Sequence, residues 1–105
     1  MSNTEKTTFQ IPTQQELEQL SELHKAMGDY SRMRILWILM GQELCVSDLA
    51  KQMNITESAV SHQLRELRIT RLVQSHKVGK NVFYSLLDEH IQWVLEETYA
   101  HISER

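Results

Sequence analysis

The sequence lacks paired cysteines, long apolar runs and an apolar leader, and each absence excludes a class of protein. Cys45 is the one cysteine among 105 residues, which excludes a disulfide within the chain and a zinc knuckle built of cysteines. No run of 18 apolar residues occurs, so we expect no membrane span. The first ten residues are polar, unlike the apolar core of a signal peptide, and this predicts a cytoplasmic protein.

The length predicts one domain, and a content of 41% apolar residues excludes a disordered tail. A core of this size buries only about 60–70% of the surface of the unfolded chain. We therefore expect support from a partner chain or a metal.

The formal charge of −3 at pH 7 conceals an uneven distribution of charged residues. The net charge is −2 over residues 1–43, +3 over residues 44–86 and −4 over residues 87–105. A basic middle and an acidic end predict two binding surfaces that prefer different ligands. Because the counts are small, ordinary scatter of surface charge explains them nearly as well.

Helix signals predict five helices, with a β-hairpin before the last one. Side chains that can cap a helix precede four of them: Thr13, Asp29 or Ser31, Thr56 and Asp88. Residues that end helices follow at Gly28, Gly41 and Asn54, and the third helix is a short one, 46–53. Two runs rich in β-forming residues, 72–77 and 81–86, predict a hairpin around Gly79. Residues 1–13 are predicted to be a flexible leader and residues 14–105 a single domain.

Two short helices followed at once by a hairpin are typical of a winged helix-turn-helix, a mainly α fold with a β-hairpin wing. The helix-turn-helix is predicted over about 46–70 and the wing over about 72–86. The second helix turns an apolar stripe inward, and its other side chains are candidate DNA contacts: Ser58, Ser61, His62, Gln63 and Arg65. Arg68 and Arg71, farther along the chain, are better placed for backbone phosphates or for surface ion pairs. On the wing, Lys77 and Lys80 are candidate contacts with phosphates or with a minor groove. The alternative to a winged helix-turn-helix is an α-helical bundle with a solvated basic loop.

The last predicted helix, over about 88–103, carries candidate metal ligands. His90 and His101 are eleven residues apart, which places them on one face of the helix but about 16.5 Å apart along its axis. One helix therefore cannot bring both imidazoles to one ion, whereas two antiparallel copies can. Each of two sites per dimer would combine Asp88 and His90 of one chain with His101 and Glu104 of the other. Two imidazoles and two carboxylates suit tetrahedral zinc, with cobalt as a substitute. Alternatively, Asp88 caps the helix and the histidines are surface or interface residues.

Several stretches of the chain resemble the ArsR/SmtB family of bacterial metal-responsive repressors. The resemblance runs from about residue 14 to the end, and its motifs are residues 26–36, AMGDYSRMRIL, residues 43–50, ELCVSDLA, and residues 58–64, SAVSHQL. It implies a winged-helix homodimer, joined through its N- and C-terminal helices, that occupies operator DNA when metal is scarce and releases it when metal binds. The family's zinc signature on the terminal helix is complete at Asp88, His90, His101 and Glu104.

The family's thiolate site is incomplete in this sequence. That site requires Cys-x-Cys, and Cys45-Val46-Ser47 has only one sulfur. We therefore predict no arsenic or cadmium thiolate site, and we expect Cys45 to be a small buried hydrophobic residue.

Three alternatives to a zinc-sensing repressor stay open. One is a redox or small-molecule sensor on the same scaffold, although Cys45 has no resolving cysteine. Another is a DNA-binding protein that does not respond to metal. The third, a zinc hydrolase, is disfavoured because the sequence lacks His-Glu-x-x-His and because four protein ligands leave no open position on zinc. We predict that the chain is not an enzyme.

Overall fold

A computed structural model describes residues 9–104. The elements follow in the order α1 (Gln14–Gly28), α2 (Tyr30–Ile38), β1 (Leu44–Cys45), α3 (Val46–Met53), α4 (Glu57–Ile69), β2 (Val73–Val78), β3 (Asn81–Leu86) and α5 (Glu89–Ser103). Residues 9–13 belong to no helix or strand, and the rest of the predicted leader lies outside the described residues. Mainly helical structure with a β-hairpin wing confirms the predicted fold class.

The helices begin at the predicted capping residues. The Thr13 side chain accepts from the N–H of Glu16 at 3.2 Å, and the Glu16 carboxylate accepts from the N–H of Thr13 at 2.9 Å, which completes a capping box. Asp29, rather than Ser31, caps α2, and Thr56 caps α4 through a 3.1 Å bond from the N–H of Ala59. These local hydrogen bonds set where the helices start.

The end of α2 differs from the prediction, which placed it at Gly41. The helix stops at Ile38, and a turn with backbone bonds from Met40 to Trp37 and from Gln42 to Leu39 follows. Gly41 completes this turn with φ +73°, in the left-handed region that glycine adopts at little cost.

The sheet contains one strand that the sequence analysis did not predict. The predicted hairpin forms between β2 and β3, with Gly79 at its tip in the left-handed region. The unpredicted β1 has two residues, and it pairs with β3 in the register Leu44 to Tyr84 and Cys45 to Phe83. The strand order is β1-β3-β2, so the hairpin is fastened to the segment just before α3.

The core lies between α2, α3, α4 and the base of the hairpin. The predicted apolar stripe of α4 is fully buried at Val60, Leu64 and Leu67, as the sequence pattern indicates. The terminal helices contribute little to this core, because α1 has two buried residues and α5 has one, Leu95. Large apolar side chains on these two helices stay exposed, and they are Leu17, Leu20, Trp93, Tyr99 and Ile102.

The connection between the hairpin and α5 is short and hydrogen-bonded. The N–H of Leu87 donates to the carbonyl of Leu72 at 3.0 Å, which continues the ladder of β2 and β3 by one further bond. Asp88 then caps α5, so two residues separate β3 from the last helix. None of the helices within residues 9–104 is long and apolar enough to cross a membrane.

Candidate nucleic-acid interface and metal-binding helix

Helices α3 and α4 form the predicted helix-turn-helix. Asn54 ends α3 with φ 58° and ψ 46°, a left-handed conformation that asparagine tolerates better than most residues. The N–H of Ile55 then bonds back to the carbonyl of Ala50 at 3.2 Å, which closes the turn before Thr56 starts α4. The first residues of α4, Glu57, Ser58 and Ala59, are exposed, as the start of a recognition helix requires.

The structure places the candidate DNA contacts of α4 on its outer side. Ser58, His62 and Arg65 are exposed, and Ser61 is half-buried. None of these four side chains has a hydrogen-bond partner among the described residues, so their polar groups are available to a ligand. Contact with base edges or phosphates stays a prediction for these residues.

Gln63 differs from the other candidates because it has a partner in the protein. Its side-chain carbonyl oxygen accepts a hydrogen bond from Nε of Arg32 at 2.9 Å, and both residues are half-buried. Arg32 belongs to α2, and its contact with the recognition helix was missed by the sequence analysis. The two residues are 31 positions apart, a separation for which no helical or strand periodicity gives a signal.

A polar groove lies between α4 and β3, on the wing side of the recognition helix. It is lined by Ser61, Arg65, Arg68, Ile69 and Tyr84. Within residues 9–104, no carboxylate lies within 4.0 Å of the guanidinium groups of Arg65 and Arg68, so the groove has a positive charge that is not neutralised locally. Tyr84 was not among the candidate residues; it is half-buried on β3 and lines this groove.

The wing lysines are both exposed. Lys77 lies on β2 opposite Val82, and Ser75 lies opposite Tyr84, so the alternation of a strand places Lys77 on the same face as Tyr84. Lys80 lies in the turn at the hairpin tip. The other face of the hairpin carries His76, whose imidazole is 3.4 Å from the carboxylate of Glu43. Lys77 thus lies on the face of the wing whose Tyr84 lines the groove.

Asp88 and His90 are adjacent at the start of α5. One carboxylate oxygen of Asp88 accepts from the backbone N–H groups of His90 and Ile91, at 2.9 and 3.2 Å. The other lies 3.5 Å from Nδ1 of His90. Desolvation raises the pKa of the Asp88 carboxyl, but the N–H of Ile91 and the side chain and N–H of His90 lower it by more, so the net pKa lies below its ordinary value. The capping role expected as an alternative is thus present, and metal ligation stays a prediction.

The four candidate ligands do not meet within one chain. His90 is 92% exposed, and His101 and Glu104 are exposed near the other end of the helix. In the described part of the chain, no three His, Cys, Asp or Glu side chains are close enough to hold a metal ion. A single chain therefore offers two halves of the predicted site, one at each end of α5.

Cys45 is not the buried hydrophobic residue that the sequence analysis predicted. It is half-buried at the N-cap of α3, and its Sγ lies 3.2 Å from a carboxylate oxygen of Asp48 and 3.3 Å from the hydroxyl of Ser47. The prediction is wrong because the short strand β1 and the helix start hold the thiol beside polar side chains.

Comparison with known proteins identifies the family. Residues 29–75 match the model of the bacterial regulatory proteins of the arsR family. The chain is 40% identical to the HTH-type transcriptional regulator NmtR of Mycobacterium tuberculosis over 83 residues, which cover 79% of this chain and 69% of the relative. The chain belongs to the ArsR/SmtB family. It is a DNA-binding regulator, not an enzyme, since these relatives are transcriptional regulators.

Two further relatives of this ArsR/SmtB regulator extend the comparison. The transcriptional repressor SmtB homolog of Synechocystis is 49% identical over 87 residues, or 83% of this chain and 66% of the relative. The cadmium resistance regulatory protein CadC homolog of Staphylococcus aureus is 35% identical over 83 residues, or 78% and 69% of the two chains. The chain thus spans slightly less than two thirds of the Synechocystis relative.

Solved structures agree with the fold of this ArsR/SmtB regulator. The solution structure of apo-NmtR superposes with a TM-score of 0.74 at 34% identity, covering 96% of this chain and 85% of that one. A homodimeric winged helix-turn-helix domain from Mycobacterium bovis superposes with a TM-score of 0.82 at 21% identity, covering 94% and 93%. The winged helix-turn-helix prediction is confirmed.

Proposed function

We propose that this chain is a zinc-responsive transcriptional repressor, which binds operator DNA as a metal-free dimer and releases it when zinc binds between the two chains. The observation that carries the proposal is the arrangement on α5. A carboxylate and an imidazole are adjacent at its start, and a second imidazole and carboxylate lie near its end, all exposed.

The donor set fits zinc when two chains share it. Asp88 and His90 of one chain supply one oxygen and one nitrogen ligand, and His101 and Glu104 of the other chain supply the same pair. Tetrahedral zinc accepts these ligands, with cobalt as a substitute, whereas thiophilic ions prefer sulfur. Capping occupies one oxygen of Asp88, which leaves the other oxygen for a metal. We propose two such sites per dimer.

The burial pattern of α5 supports a partner chain on its metal-binding side. Leu95, which is buried in the core, lies about 120–140° around the helix from His90 and His101. The histidine face is therefore turned away from the chain's own core. Trp93 lies beside His90 on that outer face and is 61% exposed. Pairing through α1 and α5 would cover this apolar surface and bring the half-sites together.

Metal binding and DNA binding must share a conformational change for one to control the other. Zinc held by both chains would stabilise one relative position of the two α5 helices. Each α5 follows the wing after only two residues, so the positions of α5 and of the wing depend on each other. We propose that the zinc-bound position misaligns the two recognition helices with successive major grooves. A repressor of a bacterial operator acts in the cytoplasm, so the proposal keeps that predicted location.

The test is a fluorescence anisotropy titration of a duplex selected by the protein from a random-sequence library. The wild type should bind in chelator and lose about 5- to 150-fold in affinity when zinc is added, the range of typical allosteric coupling. His101→Ala should bind equally well in chelator and lose the zinc response. Glu97→Gln, on the same side of α5, is the matched control and should respond as the wild type does. A normal zinc response of His101→Ala would refute the α5 site.

The same assay separates the alternatives. A wild-type affinity that is equal in chelator and in zinc would identify a regulator that does not respond to this metal. Cys45→Ser should keep the zinc response, and its loss would favour a sensor that acts through the thiol.

A further inference from the structure

Arg32 on α2 is hydrogen-bonded to the recognition helix. Its Nε donates to the side-chain oxygen of Gln63 at 2.9 Å, and both side chains are half-buried. A guanidinium group has donors only, so the amide of Gln63 must turn its oxygen, not its nitrogen, toward Arg32. Chemistry thus decides the orientation of this amide.

The remaining polar atoms of the pair are all donors. Both Nη groups of Arg32 and the amide NH₂ of Gln63 have no hydrogen-bond partner within the described part of the chain. These nitrogens are accessible to solvent, since among the described residues every buried side-chain nitrogen or oxygen has a hydrogen-bond partner and these have none. The pair therefore presents a set of N–H groups, and no acceptor, at the surface.

The charge of Arg32 is not neutralised by a carboxylate. Among residues 9–104, no Asp or Glu oxygen lies within 4.0 Å of its guanidinium. Asp29, one turn earlier, uses its carboxylate to accept from the backbone N–H of Arg32 at 3.1 Å. A cation surrounded by free N–H donors is suited to an anion, and the two Nη groups match the bidentate geometry of phosphate.

The pair lies on the flank of α4 that faces away from the wing. Gln63 is about 140–160° around the helix from Ser61, Arg65 and Arg68, which line the groove beside β3. The exposed candidate DNA contacts Ser58 and His62 lie between these two flanks. A helix in the major groove has a phosphate backbone on each side, because the groove is only about 12 Å wide.

We propose that Arg32 and Gln63 form a phosphate-binding pair, which contacts the DNA strand on the side of α4 opposite the wing. This inference rests on the proposed DNA-binding function. It adds a contact with the phosphate backbone on the flank of α4 opposite the groove beside β3. Arg32 binds the phosphate through its Nη groups, and Gln63 both holds Arg32 and donates its NH₂. Such a contact sets the position of α4 on the duplex and reads no base.

The test measures the affinity of the full chain, in chelator, for a short labelled duplex of mixed sequence at several salt concentrations. Arg32→Met should weaken binding about tenfold and reduce the slope of log K against log salt by about 0.9, the value for one phosphate contact. Gln63→Glu should also weaken binding, because its carboxylate repels the phosphate while keeping a partner for Arg32. Arg34→Met is the matched control. Arg34 is half-buried on the same helix, its side chain has no hydrogen bond or ion pair within residues 9–104, and its loss should leave the slope unchanged.

Three results would overturn the inference. One is an Arg32→Met slope equal to that of Arg34→Met. Another comes from duplexes that each variant selects from a random library. If Arg32→Met or Gln63→Glu changes the base preferred at one position, the pair reads a base. The third is a wild type that binds no duplex, which would refute the proposed function as well. Melting curves check folding, and Gln63→Glu supplies the test if Arg32→Met does not fold.

Discussion

Asp88 shows how one carboxylate can serve two purposes through its two oxygens. One oxygen satisfies the free N–H groups at the start of α5, and the other faces the imidazole of His90. The helix therefore fixes the orientation of the carboxylate. A candidate ligand that is already oriented loses less conformational entropy when it binds.

Asp88 should make the stability of the fold depend on pH. The pKa of the Asp88 carboxyl is lower in the folded chain than in the unfolded chain. Its ionised form therefore stabilises the fold at any pH above the pKa in the unfolded chain, and this stabilisation is lost as the pH falls through the pKa in the folded chain. Asp88→Asn keeps a capping side chain without the charge. We expect the wild type to melt at a higher temperature than Asp88→Asn at neutral pH, and the difference to shrink in acid.

Melting curves in chelator over a series of pH values measure this difference. Glu89→Gln removes one negative charge from the next residue and serves as the control. A difference between the wild type and Asp88→Asn that stays constant down to acid pH would contradict the expectation.

At the scale of single elements, the cap of the recognition helix offers a direct test. Thr56 accepts from the N–H of Ala59, and its replacement by alanine leaves that donor without its partner. Thr56→Ala should lower the free energy of unfolding by about 1 kcal/mol. Ser58→Ala, two residues later, removes a hydroxyl that has no partner within residues 9–104, and chemical denaturation should show little change for it. Equal effects of the two variants would refute the capping role.

Element boundaries were predictable where local chemistry sets them. Thr13, Asp29, Thr56 and Asp88 start helices because each side chain reaches an N–H two or three residues later, a distance visible in sequence. The two-residue strand β1 was not predictable, since it forms only by pairing with β3 some forty residues later. Contacts between distant segments leave no periodic signal.

The same distinction applies to the candidate sites. The outward direction of Ser58, His62 and Arg65 follows from the apolar stripe of α4, so the sequence was sufficient to predict it. The contact of Gln63 with Arg32 and the position of Tyr84 in the groove depend on how α2 and β3 pack against α4. Those facts required the three-dimensional structure.

At the scale of the whole molecule, the exposed apolar side chains of the terminal helices predict a homodimer. Trp93 and Ile102 of α5 are 61% and 76% exposed, and Leu17 and Leu20 of α1 are 46% and 42% exposed. Trp93→Glu should shift the chain from dimer to monomer, because a charge at such a surface would be buried without a partner. Sedimentation equilibrium or light scattering after gel filtration measures the mass.

The matched control for this variant is Val78→Glu. Val78 is also an exposed apolar residue, but it lies at the hairpin tip. The measured mass of Val78→Glu should therefore still be that of a dimer. A wild type that is monomeric at micromolar concentration would contradict the prediction. So would a dimer that persists when α1 and α5 both carry new charges.

The junction between β3 and α5 has a mechanical consequence. Two residues join these elements, and the bond from Leu87 to Leu72 leaves no free loop between them. A movement of α5 is therefore passed on to the hairpin, because no flexible loop joins the two. The hairpin in turn is paired with β1, which precedes α3. Lengthening this junction with a few glycines should therefore uncouple the hairpin from α5. Each of the two would keep its own ability to bind a ligand, but binding at one would no longer change the other.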